Sequence, residues 1–397
     1  MTSTQTAILA LLVLVLGETR RVPEDYATIQ EALDVAVPGD EVSVGPGTYN
    51  EHVRFIRDGV TLKSRVRHEA TIDGGGSGHV VVCGARTATV EGFVITGSGD
   101  RFYAGVFTSQ ASQVIRDNVI TGNRGDGISV SSGSLAVIER NVITDNGAWH
   151  AGIECVTGAS ATIADNYIAR NRYGIHCSTS GDVLVINNTI LDHTSWSLYF
   201  GGTNATVVNN ILAGAEIGIL FASGYAPDRT AYVGDHLTIA YNDVWQNSSY
   251  DYYAELITIF IPDGSLSNVG PFTPLPGTGE MSTAPLLDTE GGYHLLTGSP
   301  CINRGDPSLT FECYDTDIDG HARVLCGRVD IGANEFGIGD HDCDQTIGVD
   351  DFAHWGRCMM GPRTSSLGEL CESFDLDGDC DVDLADFARF EPAFSAQ

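Results

Sequence analysis

One short phrase recurs through the middle of the chain and leaves little choice of fold. An apolar pair leads to Asn, two apolar residues, Thr or Ala, a second Asn and then Gly-Ile. VIRDNVITGN (114–123) leads to Gly127-Ile128, VIERNVITDN (137–146) to Gly152-Ile153, and TIADNYIARN (162–171) to Gly174-Ile175. The first Asn stands at Asn118, Asn141, Asn166, Asn188, Asn210 and Asn242, with gaps of 23, 25, 22, 22 and 32 residues. A period of this size means stacked units that each bury their apolar side against the next.

The unit is β. Its apolar runs are short, rich in Val and Ile, and broken by Gly, Asn and Asp. No stretch between Gly74 and Asn247 holds a helical period. Three short strands per turn predict a right-handed parallel β-helix, an all-β solenoid whose coils stack at about 4.8 Å. Equivalent residues then form columns, and the repeated Asn becomes an inward amide ladder with no catalytic role.

The net charge is −31, with Lys63 the single lysine. So acidic a chain is excluded from nucleic acid and anionic membranes. Some of the acidity is local: from Ile338 to Gln397 there are 14 Asp and Glu against 3 Arg. This shift, with Gly337-Ile338-Gly339, divides a solenoid (18–337) from a small domain (338–397). Ala7–Leu16 is an apolar run of ten, too short for a bilayer and suited to a signal-peptide core, with cleavage expected near Gly17. No other stretch reads as a membrane span.

Ten cysteines suit export. Cys358 with Cys371, and Cys313 with Cys326, bracket loops and are expected to pair. Cys155 and Cys177 hold the same place in successive coils (Gly-Ile-Glu-Cys, Gly-Ile-His-Cys). They are expected as stacked buried thiols, although the coil spacing also permits a disulfide.

Val22 to Leu33 reads as an extended entry followed by a short amphipathic helix, with Ile29, Ala32, Leu33 and Ala36 on one face. Such a helix would plug the open end of a solenoid. The phrase VPEDYATIQEALDVAVPGDEVSVGPGTYNEHV, with Thr71–Gly75, Tyr293–Leu295, Ser299–Asp306 and Asp330–Glu335, resembles the secreted pectate-lyase-like β-helix superfamily over residues 20 to 336. The resemblance implies the fold. It leaves the chemistry open among lyases, hydrolases, esterases, epimerases and proteins that only bind. The stretch from Tyr225 to Glu290 admits two readings, a last coil with a long insertion or a separate subdomain.

The C-terminal domain carries a pair of acidic loops 35 residues apart, Asp340–Asp351 and Asp375–Asp386. Each has Asp at positions 1, 3, 5 and 12 and continues through Phe-Ala into a helix. Asp340, Asp342, Asp344, Thr346 and Asp351, and Asp375, Asp377, Asp379, Asp381 and Asp386, are the hard-oxygen ligands expected to hold Ca2+. The loop–helix pair, without an entering helix, resembles a dockerin. That implies a cohesin-like partner on a scaffold or cell surface, the alternative being a calcium-stabilised tail. Gln345 and Cys380 stand at position 6, where Gly is usual. A third acidic loop, Asp315–Gly320, has calcium-like spacing but Cys326 at position 12. It reads as a structural turn with Arg323 and Asp330 nearby.

Strand alternation locates the chemistry. If Ile128, Ile153, Ile175 and Leu198 point inward, Ser129, Glu154, His176 and Tyr199 point outward, one above another. Trp149, His150, Arg172, Tyr173, His193 and Trp196 lie on the adjoining turns. Aromatic faces, acids and imidazoles together suit a polysaccharide. Glu154 with His176 is the preferred acid–base pair, and a Glu–His contact is expected to raise the His pKa. Asp192-His193 is a second candidate. A glycosidase needs two carboxylates about 5–10 Å apart, for which Asp126 is the only other acid near Glu154. The Asp-Pro-His-Glu motif of alginate epimerases is missing. Two functions stay open: a lyase or hydrolase acting along this face, and a non-catalytic glycan-binding, display or structural protein, monomeric apart from docking. A second carboxylate or a metal beside Glu154 would separate them.

Overall fold

The computed structural model describes residues 17–147, 150–222, 237–254, 277–288, 292–311, 315–337, 339–359, 371, 374–376 and 381–395. These form 28 strands in three parallel sheets of ten, nine and nine strands, coiled through about nine turns. Each strand pairs in register with its counterpart one coil away, as in Glu154↔His176 and Asn-flanking Ile115↔Ile138. The expected all-β solenoid is therefore what the chain forms. Its interior is one continuous apolar cluster from Val22 to Tyr252.

The amide ladder is present. The Nδ2 atoms of Asn118, Asn141, Asn166, Asn188 and Asn210 each donate to the Oδ1 of the next Asn at 2.9–3.0 Å. Asn242 donates to Glu280, which closes the column. The residue before each of these Asn has a left-handed backbone, with φ between 52° and 58° from Asp117 to Tyr241. This conformation turns the chain sharply from the ten-stranded sheet into the next. The second Asn of the phrase builds a parallel ladder, Asn123 to Asn146 to Asn171.

The helix Ile29–Val35 caps the N-terminal end, with Ile29, Ala32, Leu33 and Ala36 buried as expected. Thr28 and Glu31 close its first turn as a capping box. At the far end, Leu237–Ala240, Asp243–Trp245 and Tyr250–Ala254 join all three sheets. The described portion of 225–290 is thus a last coil. The remainder, like residues 1–16 with the expected signal sequence, lies outside the described residues.

Beyond this coil the described residues add one parallel bridge, Asp243↔Met281, and no further strand. Residues 292–337 run back over the outside of the nine-stranded sheet holding Tyr167–Ala169, Thr189–Leu191 and Ile211–Ala213, and build a second apolar cluster there. Gly332, at φ 111°, lies so close that a Cβ would sit 2.7 Å from Ile211 Cδ1. The seam is pinned by Arg323, 1% exposed, which contacts Glu335 at 3.1 Å and Asp165 at 3.5 Å. Asp317 is buried and accepts backbone N–H groups from Asp319, His321 and Glu335, and ligand atoms of Asp317, Asp319 and His321 lie within 4.8 Å of one another, an arrangement open to a structural turn or to a metal ion.

The C-terminal helices Val349–Cys358 and Leu384–Ser395 follow the two acidic loops and share a small core of Trp355, Phe374, Leu376, Val382 and Phe390. The Cys358–Cys371 disulfide forms. The expected Cys313–Cys326 pair does not, because Cys326 is bonded to Cys343. Cys343 is position 4 of the first acidic loop, so the bridge joins that loop to the returning segment instead of closing the loop around Asp315–Gly320. Cys155 and Cys177 are free, buried and in register.

Candidate functional site

The outward column lies on the other nine-stranded sheet, which the returning chain does not cover among the described residues. Registers place Val82, Phe107, Ser129, Glu154, His176, Tyr199, Leu220 and Tyr253 one above another. Beneath them Ile128, Ile153, Ile175 and Leu198 are fully buried. The inward isoleucines thus fix which side chains face out.

Glu154 Oε1 lies 3.9 Å from His176 Nδ1. Asp126, on the turn before Gly127-Ile128, reaches the same place. Its Oδ1 accepts the Ala151 N–H at 2.8 Å and lies 3.4 Å from His150 Nδ1, and its carboxyl is in hydrogen-bonding reach of Glu154. Burial first, then the charge of Asp126, push the Glu154 carboxyl up to about 7. The hydrogen bond to Asp126 raises the pKa of His150. The expectation for His176 is reversed. Burial lowers its pKa, and the charge of Asp126 opposes this without reversing it.

Aromatic rings wall the pair. Tyr173 and Trp196 stack at 4.1 Å and 7°, the Tyr199 ring meets His176 edge-on at 4.6 Å, and the Arg172 guanidinium lies 5.0 Å over Tyr173. Arg172, Tyr173, His176, Trp196 and Tyr199 thus gather as expected. Trp149 lies outside the described residues. His193 does not belong to the face. It is 2% exposed, its Nδ1 lies 3.3 Å from the Asn171 carbonyl, and burial pushes its pKa down to about 4. It stands where the second ladder would place its next Asn. Asp192 points to solvent, so Asp192-His193 is no pair. The face also carries Phe107, stacked on His79 at 4.6 Å, and the Tyr250–Tyr253 ring pair at 5.2 Å. The column periodicity reaches both, but neither belongs to the Gly-Ile phrase that marks the others.

The acidic loops repeat one arrangement. In the first, Asp351 accepts the N–H groups of His341 at 2.7 Å and Gly348 at 2.6 Å. In the second, Asp386 accepts those of Leu376 and Asp383, the equivalent positions, at 2.6 and 2.7 Å. Oxygens of Asp340, Asp342 and Asp351 come within 4.8 Å of one another, as do those of Asp381, Asp383 and Asp386. Burial and the charge of Asp351 push the Asp340 carboxyl up to about 6. Converging carboxylates with no cation among them fit a hard divalent ion. Gln345 meets the demand of position 6 by adopting φ 69°. Asp344 and Thr346 lie along the exposed rim and Asp375 is buried, whereas Asp377, Asp379 and Cys380 lie outside the described residues.

Residues 104–254 match the family model described as the right-handed beta helix region. No protein of curated function matches the chain in sequence. Among solved structures it is similar to the Azotobacter vinelandii mannuronan C-5 epimerase AlgE4 A-module (17% identity, 68% of this chain and 95% of that one, TM-score 0.39). It is also similar to pectate lyase Pel9A (14%, 77% and 90%, 0.37) and to a mannuronic-acid-specific family 6 lyase from human gut microbiota (12%, 62% and 77%, 0.33). Similarity at this level says nothing of reaction or substrate. What the chain is, on its own residues and this match, is a right-handed parallel β-helix.

Proposed function

We propose that this protein binds and cleaves a polysaccharide along the Glu154 column, by elimination. The carrying observation is the outward Glu154–His176 pair, 3.9 Å apart, with Asp126 against Glu154 and aromatic rings alongside. The charge of Asp126 opposes ionisation of Glu154, so the two carboxyls do not readily carry two charges side by side. They instead keep one proton at neutral pH, while burial keeps His176 an uncharged base. In a uronic acid chain His176 would take the proton α to the sugar carboxyl. The glycosidic C–O bond then breaks with its electron pair leaving on oxygen, a C=C bond forms, and Glu154 protonates the departing oxygen. Arg172, and His150 in its protonated form, supply local positive charge for an anionic chain despite the acidic molecule.

The C-terminal loops support a calcium-dependent, dockerin-like tether to a cohesin-like receptor on an exported protein. Asp340, Asp342 and Asp351, with Asp381, Asp383 and Asp386, would hold the ions, which order the loops. None of the described helices is long and apolar enough to cross a membrane.

The test is a polysaccharide panel, with and without calcium, read by reducing ends and by ultraviolet absorbance of unsaturated product. Absorbance lost in Glu154→Gln supports elimination. Reducing ends without absorbance would replace it with hydrolysis. Retention on a glycan with no product would leave a docked binding module.

A further inference from the structure

Aromatic residues on the outward column are not scattered. Coil by coil, Phe107 stands two coils before Glu154, Tyr199 two coils after it, and Tyr253 four coils after it. Small or aliphatic residues, Ser129 and Leu220, fill two of the coils between. The side columns keep the same step at the far end. Tyr250 lies two coils beyond Trp196, with Ile217 between, and its ring pairs with that of Tyr253. At the near end His79 backs Phe107. Phe107, Tyr199 and Tyr253 are all partly exposed on the bare face.

A coil advances the column by about 4.8 Å, close to the advance of one pyranose along an extended 1,4-linked chain. A glycan lying on this column would therefore set one sugar on each coil, and alternate sugars would meet Phe107, Glu154, Tyr199 and Tyr253 in turn. Glycans differ in what they offer at that step. Where both bonds to the bridging oxygens are equatorial, the chain is a flat two-fold ribbon, and every second sugar turns the same face to the same side. Where both are axial, the chain is a buckled helix whose second sugar faces elsewhere. Stacking needs a ring face, not an edge.

We propose that Phe107, Tyr199 and Tyr253, which share one set of alternate coils with Glu154, form a stacking ladder that selects diequatorially 1,4-linked, ribbon-shaped glycans, and that Phe107 and Tyr253 make recognition depend on chain length. This rests on the polysaccharide reading above but not on elimination, since it concerns binding alone. From Phe107 to Tyr253 is six coil steps over seven coils, so a heptasaccharide reaches both ends of the ladder and a trisaccharide reaches only one.

The test measures affinity by calorimetry for the full chain with Glu154→Gln in the background, so that no probe is consumed. The ribbon probes are β-1,4-linked glucose, mannose and uronate heptamers, each with its trimer. The helical probes are maltoheptaose and an α-1,4-linked galacturonate heptamer. Variants are Tyr253→Leu and Phe107→Leu, since Leu220 already occupies a neighbouring coil of this column without disturbing it. At least one ribbon heptamer should bind tenfold or more tighter than its trimer and than either helical probe. Each Leu variant should weaken that heptamer about tenfold and leave the trimer within twofold. Equal affinity for helical and ribbon heptamers, or heptamer binding that neither variant changes, overturns the ladder. Equal weakening of trimer and heptamer also overturns it, as general damage to the face. If no heptamer of either linkage binds, the polysaccharide reading falls and the ladder with it.

Discussion

Glu154 owes its chemistry to a residue 28 positions earlier in the chain. Without Asp126 the carboxyl would be raised by burial alone; with it, the acid form persists to about 7. A folded pKa above the ordinary value means that the protonated form is present below about 7 and lost as pH rises through it. The His176 pKa lies below 6.5, so its base form is lost only in more acidic solution. Cleavage should therefore show a kcat/KM plateau bounded above near pH 7, and Asp126→Asn should move that alkaline limb downward. An unchanged limb in that variant would remove Glu154 as the acid. The other histidine of the repeat is a separate case. His193 fills an Asn rung, so His193→Asn should keep or raise stability and leave turnover within twofold, measured by thermal melt and initial rates. His176→Ala should reduce turnover at least a hundredfold. Outward alternation in Gly-Ile-Glu-Cys and Gly-Ile-His-Cys was enough to find Glu154 and His176. It could not find the burial of His193, because a turn residue has no strand parity to argue from.

At the scale of the element, a coil is held by backbone pairing to its neighbours and by one amide that no neighbour can replace. Asn166 accepts from the backbone and side chain of Asn141 and donates to the carbonyls of Ile138 and Ala164 and to Asn188, all out of water. Asn166→Ala leaves these partners unpaired and should cost roughly 2–4 kcal/mol in denaturant unfolding. Asn166→Asp keeps the acceptor but loses the donors, and should fall between. A loss below about 1 kcal/mol for Ala would mean that water replaces the rung. The first Asn of the phrase is legible because its period is that of the coil itself. The second ladder is harder to read, since after three rungs it passes to a histidine.

The whole molecule is a solenoid with one face sealed by its own C-terminal segment and another left bare among the described residues. Arg323 is the seal's buried charge. Arg323→Ala strands Glu335 and Asp165 without their cation and should cost about 3–5 kcal/mol, read in equilibrium unfolding. Protease should then cut within 292–337 before the coils, whereas cutting of the coils first would show that the seal is not the weak seam. The Cys326–Cys343 bridge ties the acidic-loop module to this same segment. The module is thus joined to the returning segment covalently as well as through the chain. Chelating calcium should lower helix content from the module while leaving the coils' melting transition in place.

The repeat by itself determined the solenoid, the inward ladder, the capping helix and the outward register of Glu154, His176 and Tyr199. Each follows from a period, and periods are local: two for strand faces, about 23 for coils. Tertiary structure alone decided which face stays open, that Asp126 meets Glu154, that His176 stays neutral and that Cys326 bonds Cys343 across the boundary. Those depend on where turns and the returning chain come to rest, and burial and the nearest charge set a pKa only after that folding is complete.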